Sequence, residues 1–189
     1  MRRNFLSIAG FAVAVILLAV GGLTLWGSAY VHNTVHSQLA AQQIFFPPKG
    51  SPALAPKEIG PYLNQYAGQQ LLTGQQAEAY ADHFIAVHVA ETAGGKTYSQ
   101  LSTAALAQPD NTKLAGQVAT VFKGESLRGM LLNAYGWWKV SQITYIASIV
   151  SFALGGLALI GATIGLAFGR KPQALPPITH ETINPVETA

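Results

Sequence analysis

The chain has 189 residues, of which 50% are hydrophobic and 10% are charged, with no cysteine and a formal net charge of +3. This composition excludes a disordered chain, a collagen and a disulfide-rich scaffold, and it excludes thiolate chemistry, iron–sulfur clusters and c-type haem attachment. The length is that of one ordinary domain, and the small positive charge forms no basic stripe that would predict a nucleic-acid partner.

The first predicted element is an apolar segment close to the N-terminus. Residues 5–30 contain no charged side chain, and roughly 20 helical residues cross a hydrocarbon core about 30 Å thick. We therefore expect a transmembrane helix over 5–30, preceded by a cytoplasmic segment, 1–4. A cleaved signal peptide is the alternative, because Arg2 and Arg3 precede small residues at 27–29. The apolar run exceeds the about 7 to 15 residues typical of signal peptides, which favours retention.

Residues 31–142 follow, and their apolar spacing is helical nearly throughout. No alternating β-branched run occurs, so we expect a small helical bundle whose first and last helices continue the membrane helices. Within it, helices are expected over 74–92, with Thr73 as N-cap, and over 97–107. Another is expected over 110–122, with Asp110 as N-cap and Gly124 as its end. The predicted core consists of Phe84, Ile85, Leu101, Leu106, Leu114, Val118, Val121, Phe122, Leu127 and Leu131.

The second apolar segment, 143–168, again contains no charged residue and is the second predicted transmembrane helix. Arg2, Arg3, Arg170 and Lys171 flank the two spans on one side, and such clusters favour the cytoplasm. The chain is therefore expected in the plasma membrane with both termini cytoplasmic and 31–142 extracytoplasmic. The proline-rich end, 169–189, is expected to be a disordered cytoplasmic tail. The predicted fold class is an all-α membrane protein.

Candidate interaction residues lie in and beside the second span. Tyr135, Trp137 and Trp138 form an aromatic block at the expected membrane surface, where such rings concentrate and often anchor protein contacts. Gly161 and Gly165 form a GxxxG pattern, which lets helix backbones approach closely in lipid. This small-residue face packs either against the first span or against another protein, including a second copy of the chain.

Histidines are the candidate metal or ligand residues. His32 and His36 are four apart, so they share one face of a helix. They lack the glutamate of the zinc-protease motif and a third ligand, and solvated side chains are the simpler interpretation. His83 and His88 are five apart and point in different directions, and a polar contact with Asp82 or Glu78 is the simpler interpretation for them. The sequence therefore predicts no metal and no other cofactor.

The segment Gly94-Gly95-Lys96-Thr97 resembles the end of a P-loop. A complete P-loop requires a glycine where Ala90 stands and a preceding strand, whereas a helix is predicted here. No serine-nucleophile elbow, EF-hand loop or dinucleotide fingerprint occurs either. The sequence therefore predicts neither nucleotide binding nor enzymatic activity.

Three blocks carry a family resemblance: QIFFPPKGSPAL (43–54), YADHFIAVHVAETAGGKTYSQLS (80–102) and FKGESLRGMLLNAYGWW (122–138). They resemble an uncharacterised family of two-pass membrane proteins from actinobacteria, some members of which carry the label aromatic ring-opening dioxygenase. The resemblance implies the two-pass topology. Extradiol dioxygenases bind iron through two histidines and a carboxylate, and the spacing of these residues gives no such triad.

Two functions remain as hypotheses. The first is a non-catalytic accessory or assembly subunit of a larger cell-envelope complex, respiratory or transport, with the lipid bilayer and an integral-membrane protein as its partners. The second is an extracytoplasmic metal- or small-ligand-binding module anchored in the membrane, with His32, His36, His83 and Asp82 as residues to test. Self-association through Gly161 and Gly165 is compatible with either.

Overall fold

The computed structural model describes residues 2–168, and every regular element within them is helical. The six α-helices are α1 (Arg2–Ala41), α2 (Gly60–Leu63), α3 (Gly74–Tyr80), α4 (Ala86–Ala93), α5 (Tyr98–Leu106) and α6 (Thr112–Ala167). A π-helical turn, Ala81–Ile85, joins α3 to α4, and 3-10 turns occupy Pro52–Leu54 and Asn64–Tyr66. Over this part of the chain no strand forms, and the all-α prediction is confirmed. The predicted tail, 169–189, lies outside the described residues.

Two of the helices, α1 and α6, are long and apolar enough to cross a membrane. They contain 40 and 56 residues and continue without interruption beyond their apolar segments. In the most apolar stretch of each helix, only 11% of the residues are buried inside the protein. The apolar surface of this helix pair therefore faces outward.

The helices α1 and α6 pack side by side in opposite directions. Near one end a Cβ on Gly165 would contact Ser7 Oγ, and near the other the Ser28 hydroxyl donates a hydrogen bond of 2.6 Å to the Ser141 carbonyl. The buried residues recur every seven positions, which is typical of helices that supercoil with a left-handed twist. We call them the small-residue interface: Ser7, Ala14, Gly21, Ser28 and Val35 on α1, and Ser141, Ser148, Gly155 and Ala162 on α6.

Small side chains explain why these two helices lie so close together. A Cβ on Gly10 would lie 3.2 Å from the Ala162 Cβ, and a Cβ on Gly155 would lie 3.1 Å from Leu18 Cδ2. Association of helices in lipid depends on such close packing, because lipid chains are as apolar as the side chains and supply no hydrophobic driving force.

The same pair of helices supplies one wall of the compact domain between them. Val35 and Leu39 of α1 and Leu131 and Trp138 of α6 belong to its core. The remainder of the core comes mainly from the irregular segment after α1 and from α3 with its π turn: Phe46, Leu54, Ile59, Leu63, Leu71, Ala77, Ala81 and Ile85. Leu106, Phe122 and Leu127 were expected in the core but are exposed.

Local capping explains where the shorter helices begin. Thr73 starts α3 and Thr97 starts α5, each in a capping box with the glutamine three residues later. Asp110 was expected to cap the last helix, but Asn111 does so, because its Oδ1 accepts the Leu114 N–H at 3.0 Å. These caps satisfy backbone donors that the first turn of a helix leaves free.

The expected break at Gly124 does not occur, since α6 runs through this residue. A Cβ there would collide with Cγ2 of Val89 on α4, so the glycine permits close contact between the two helices. Gly124 therefore has a packing role, and its helix-weakening effect is overcome by the rest of α6.

The substitution Gly124→Ala is expected to destabilise the domain, because valine in a helix has one strongly preferred rotamer and yields little to an added methyl. Gly129→Ala on the same helix is the matched control, since no heavy atom lies within 4 Å of the added Cβ. Its expected effect is a gain of about 0.5 to 1 kcal/mol from helix propensity. Thermal unfolding followed by circular dichroism measures both, and equal stabilisation by the two substitutions would contradict the contact.

Candidate functional site

Trp138 and His32 meet where α1 and α6 enter the compact domain. Their ring centroids are 4.1 Å apart, and Trp138 is only 5% exposed. The indole also packs directly on Gly74, where any Cβ would collide with its Cβ and Cγ. Its Nε1–H is buried and has no hydrogen-bond partner within the described part of the chain. Trp138 is thus a packing residue between α6, α1 and the start of α3.

The other proposed interaction residues have different surroundings. Trp137 is 54% exposed, whereas Tyr135 is half-buried with the Lys139 ammonium 5.6 Å from its ring centre. Gly161 has no heavy atom within 4 Å of its Cβ position, and Gly165 packs against Ser7. The structure therefore leaves Trp137 and Gly161 accessible and places Trp138 and Gly165 in contacts within the chain.

The histidine pair of α1 is not joined by further metal ligands. The His32 ring packs against Trp138 at an interplanar angle of 36°, and His36, one turn later, is exposed. Over residues 2–168 the structure brings no three His, Asp or Glu side chains into an arrangement that could bind a metal ion. The His32 ring instead borders a groove of about 370 Å³ between the helices, together with Ser28, Gln142 and Tyr145.

The three candidate residues on the π turn and α4 make separate contacts. Asp82 accepts a hydrogen bond of 2.9 Å from Arg128 on α6. His83 stacks in parallel on Tyr62 of α2, with the ring centres 3.5 Å apart. The His88 Nδ1 lies 2.7 Å from the Phe84 carbonyl oxygen. These contacts tie the π turn to its neighbours and do not assemble one catalytic group.

A feature that the sequence analysis did not identify is an apolar cavity of about 350 Å³ between the π turn, α4 and α6. Its walls are formed mainly by Tyr80, Phe84, Ile85, Val89, Val121 and Leu127, with His88 and Lys123 also lining it. Burial raises the pKa of Tyr80, because loss of water disfavours the phenolate. The π turn contains one more residue per turn than an α-helix, and it therefore changes which side chains face α6. No local pattern in the sequence predicts this turn.

Comparison with known proteins adds no relative. No protein-family model, no curated protein and no solved structure matches the chain. The resemblance to the actinobacterial two-pass family stays a prediction, and the proposals about function rest on the geometry described above.

Proposed function

We propose that the chain is an integral membrane protein anchored by α1 and α6. The outward-facing apolar surface of both helices supports this, because the core helix of a soluble protein buries most of its apolar residues. Exposed aromatic rings lie at the same end of both apolar stretches, at Trp26 and Tyr30 on α1 and at Trp137 and Tyr145 on α6. Such rings favour the membrane–water interface.

Retention of the first span is part of this proposal. Leu39 of α1 lies in the domain core, and Ser28 is bonded to Ser141. Cleavage after the small residues at 27–29 would remove most of the α1 residues of the small-residue interface and leave the facing residues of α6 without a partner. These contacts favour a retained helix over a signal peptide.

The proposed topology puts both termini in the cytoplasm and residues 31–142 outside it. The chain has no cysteine, so single cysteines report accessibility directly. We expect Asp110→Cys, an exposed position between α5 and α6, to react with a membrane-impermeant maleimide on intact cells. Ala189→Cys should react only after permeabilisation, and the opposite labelling pattern would reverse the topology.

We propose that the protein is a non-catalytic accessory or assembly subunit of a larger cell-envelope complex. The observation that carries this is the continuity of α1 and α6 from their apolar stretches into the domain, where they supply core residues. Because both helices are uninterrupted, they hold the compact domain at a fixed distance from the membrane and in a fixed orientation. This geometry suits a subunit that positions a partner protein. Exposed Trp137 and open Gly161 provide contact points for another membrane protein.

Affinity purification in mild detergent tests this function. We expect a stoichiometric integral-membrane partner, and a photo-crosslinking amino acid at Trp137 should capture the same protein. The matched control is the same amino acid at Gln108, an exposed residue after α5 on the outer part of the domain. Purification of the chain alone, with equal background at both positions, would contradict the proposal.

A further inference from the structure

The apolar cavity beside the π turn has walls built for an apolar ligand. The rings of Phe84 and Tyr80 pack with centroids 4.8 Å apart, and the aliphatic residues Ile85, Val89 and Leu127 complete the lining. Its volume, about 350 Å³, falls within the range of small-molecule sites. The space opens to solvent on one side, where His88, Lys123 and Leu127 are exposed, and its apolar walls can accept an apolar molecule.

Two features of the backbone border this space. The direct contact of Val89 with Gly124 sets the distance between α4 and α6 beside the cavity. The π turn, Ala81–Ile85, contributes Ile85 to the core and also to the cavity wall. π-helical turns in α-helices occur frequently at functional sites. The cavity is thus a consequence of fixed backbone geometry.

The polar groups that line the cavity carry positive charge or hydrogen-bonding capacity. Lys123 has no carboxylate within ion-pair distance over residues 2–168. The Nδ1–H of His88 donates to the Phe84 carbonyl, so Nε2 of the neutral ring is an acceptor and Lys123 is the cationic group of the lining. Glu125 on α6 and Asp82 on the π turn are both paired with Arg128. Glu91 on α4, between the lining residues Val89 and Thr92, is exposed and is not itself a lining residue.

We propose that this cavity binds an amphipathic carboxylate, with its apolar chain between the π turn and α6 and its carboxylate beside Lys123. This site is independent of the accessory-subunit proposal. Lys123 precedes Val140, the first residue of the charge-free stretch, by seventeen residues on one helix. At 1.5 Å per residue it stands about 25 Å from that stretch. The ligand therefore enters from the aqueous phase and not from the bilayer.

Calorimetric titration of the full-length protein in lipid nanodiscs tests the site, with decanoate as the probe and empty nanodiscs to subtract partitioning into lipid. Decanoate should bind more tightly than decanol, because only the acid places a negative charge beside Lys123. Lys123→Glu should weaken decanoate binding by a factor of about 3 to 10 and leave decanol unchanged, as expected for a partly exposed charge pair. Lys113→Glu, at an exposed position in the first turn of the same helix, should change neither.

Filling the cavity provides a second, independent variant. Leu127→Trp places a larger apolar side chain in the lining, and we expect it to abolish decanoate binding without lowering the unfolding temperature. Equal affinity for decanoate and decanol, equal weakening by the two lysine substitutions, or retained binding in Leu127→Trp would overturn the proposal. Heat no greater than that of empty nanodiscs would overturn it as well.

Discussion

Trp138→Ala is expected to destabilise the compact domain by about 3 to 5 kcal/mol, the usual cost of truncating a buried large aromatic residue. The indole fills the space between His32 on α1 and Gly74 at the start of α3, so its loss opens a cavity at the junction of three helices. The midpoint of thermal unfolding, followed by circular dichroism in detergent, should fall by about 6 to 20 °C.

Trp138→Phe separates packing from hydrogen bonding. Because Nε1 has no partner in the described structure, phenylalanine gives up no hydrogen bond and retains most of the apolar contact. Its cost should stay at about 1 to 2 kcal/mol, the range of a modest change of size in a core. If alanine and phenylalanine at position 138 proved equally harmless, the indole would not be the packing residue of this junction.

The second large effect is expected from Gly155→Leu in the small-residue interface. A Cβ at this position already comes within 3.1 Å of Leu18, and a leucine adds three more carbons that have no space. The helices must separate or shift along each other, which costs about 1 to 3 kcal/mol or more. We expect less protein in the membrane fraction and faster proteolysis of the compact domain.

Gly156→Leu is the matched control, because the neighbouring glycine has no heavy atom within 4 Å of its Cβ position. The same side chain, one residue away in the same helix, therefore points to the open side of the pair. Wild-type amounts and protease resistance are expected for it. Equal damage by both substitutions would show that leucine is harmful for reasons other than the contact with α1.

Much of the fold could be predicted from local signals in the sequence. The two charge-free segments predict the apolar parts of α1 and α6, because their length and composition are enough to identify helices that can cross a membrane. Thr73 and Thr97, each followed by glutamine three residues later, give the starts of α3 and α5. These signals depend only on residues that are close in sequence, so the helices they specify can be predicted without the tertiary structure.

Other parts depend on distant contacts that local patterns do not contain. In the sequence Gly124 looks like the end of a helix, and only the three-dimensional structure shows that it packs against Val89. Ile59 and Leu63 are core residues, but they lie in a proline-containing segment without a regular spacing of apolar residues. The difference between Trp137 and Trp138 follows from the seven-residue repeat, because Leu131 and Trp138 are one repeat apart and both buried. A second buried series with the same seven-residue spacing begins three residues later and is visible in the sequence as small residues at 141, 148, 155 and 162. Gly161 of the GxxxG pattern lies beside this series and is exposed.

The most direct test of the paired-helix anchor is a disulfide between α1 and α6, made possible by a chain without cysteine. Gly10→Cys with Ala162→Cys joins positions whose Cβ atoms would be 3.2 Å apart, close to the separation found in disulfides. Gly10→Cys with Gly161→Cys is the control, because position 161 has nothing within 4 Å. After mild oxidation in native membranes and proteolytic cleavage between α1 and α6, the first pair should leave the two helices linked by the disulfide. A link in the control pair alone, or in neither pair, would contradict the antiparallel arrangement on which the account rests.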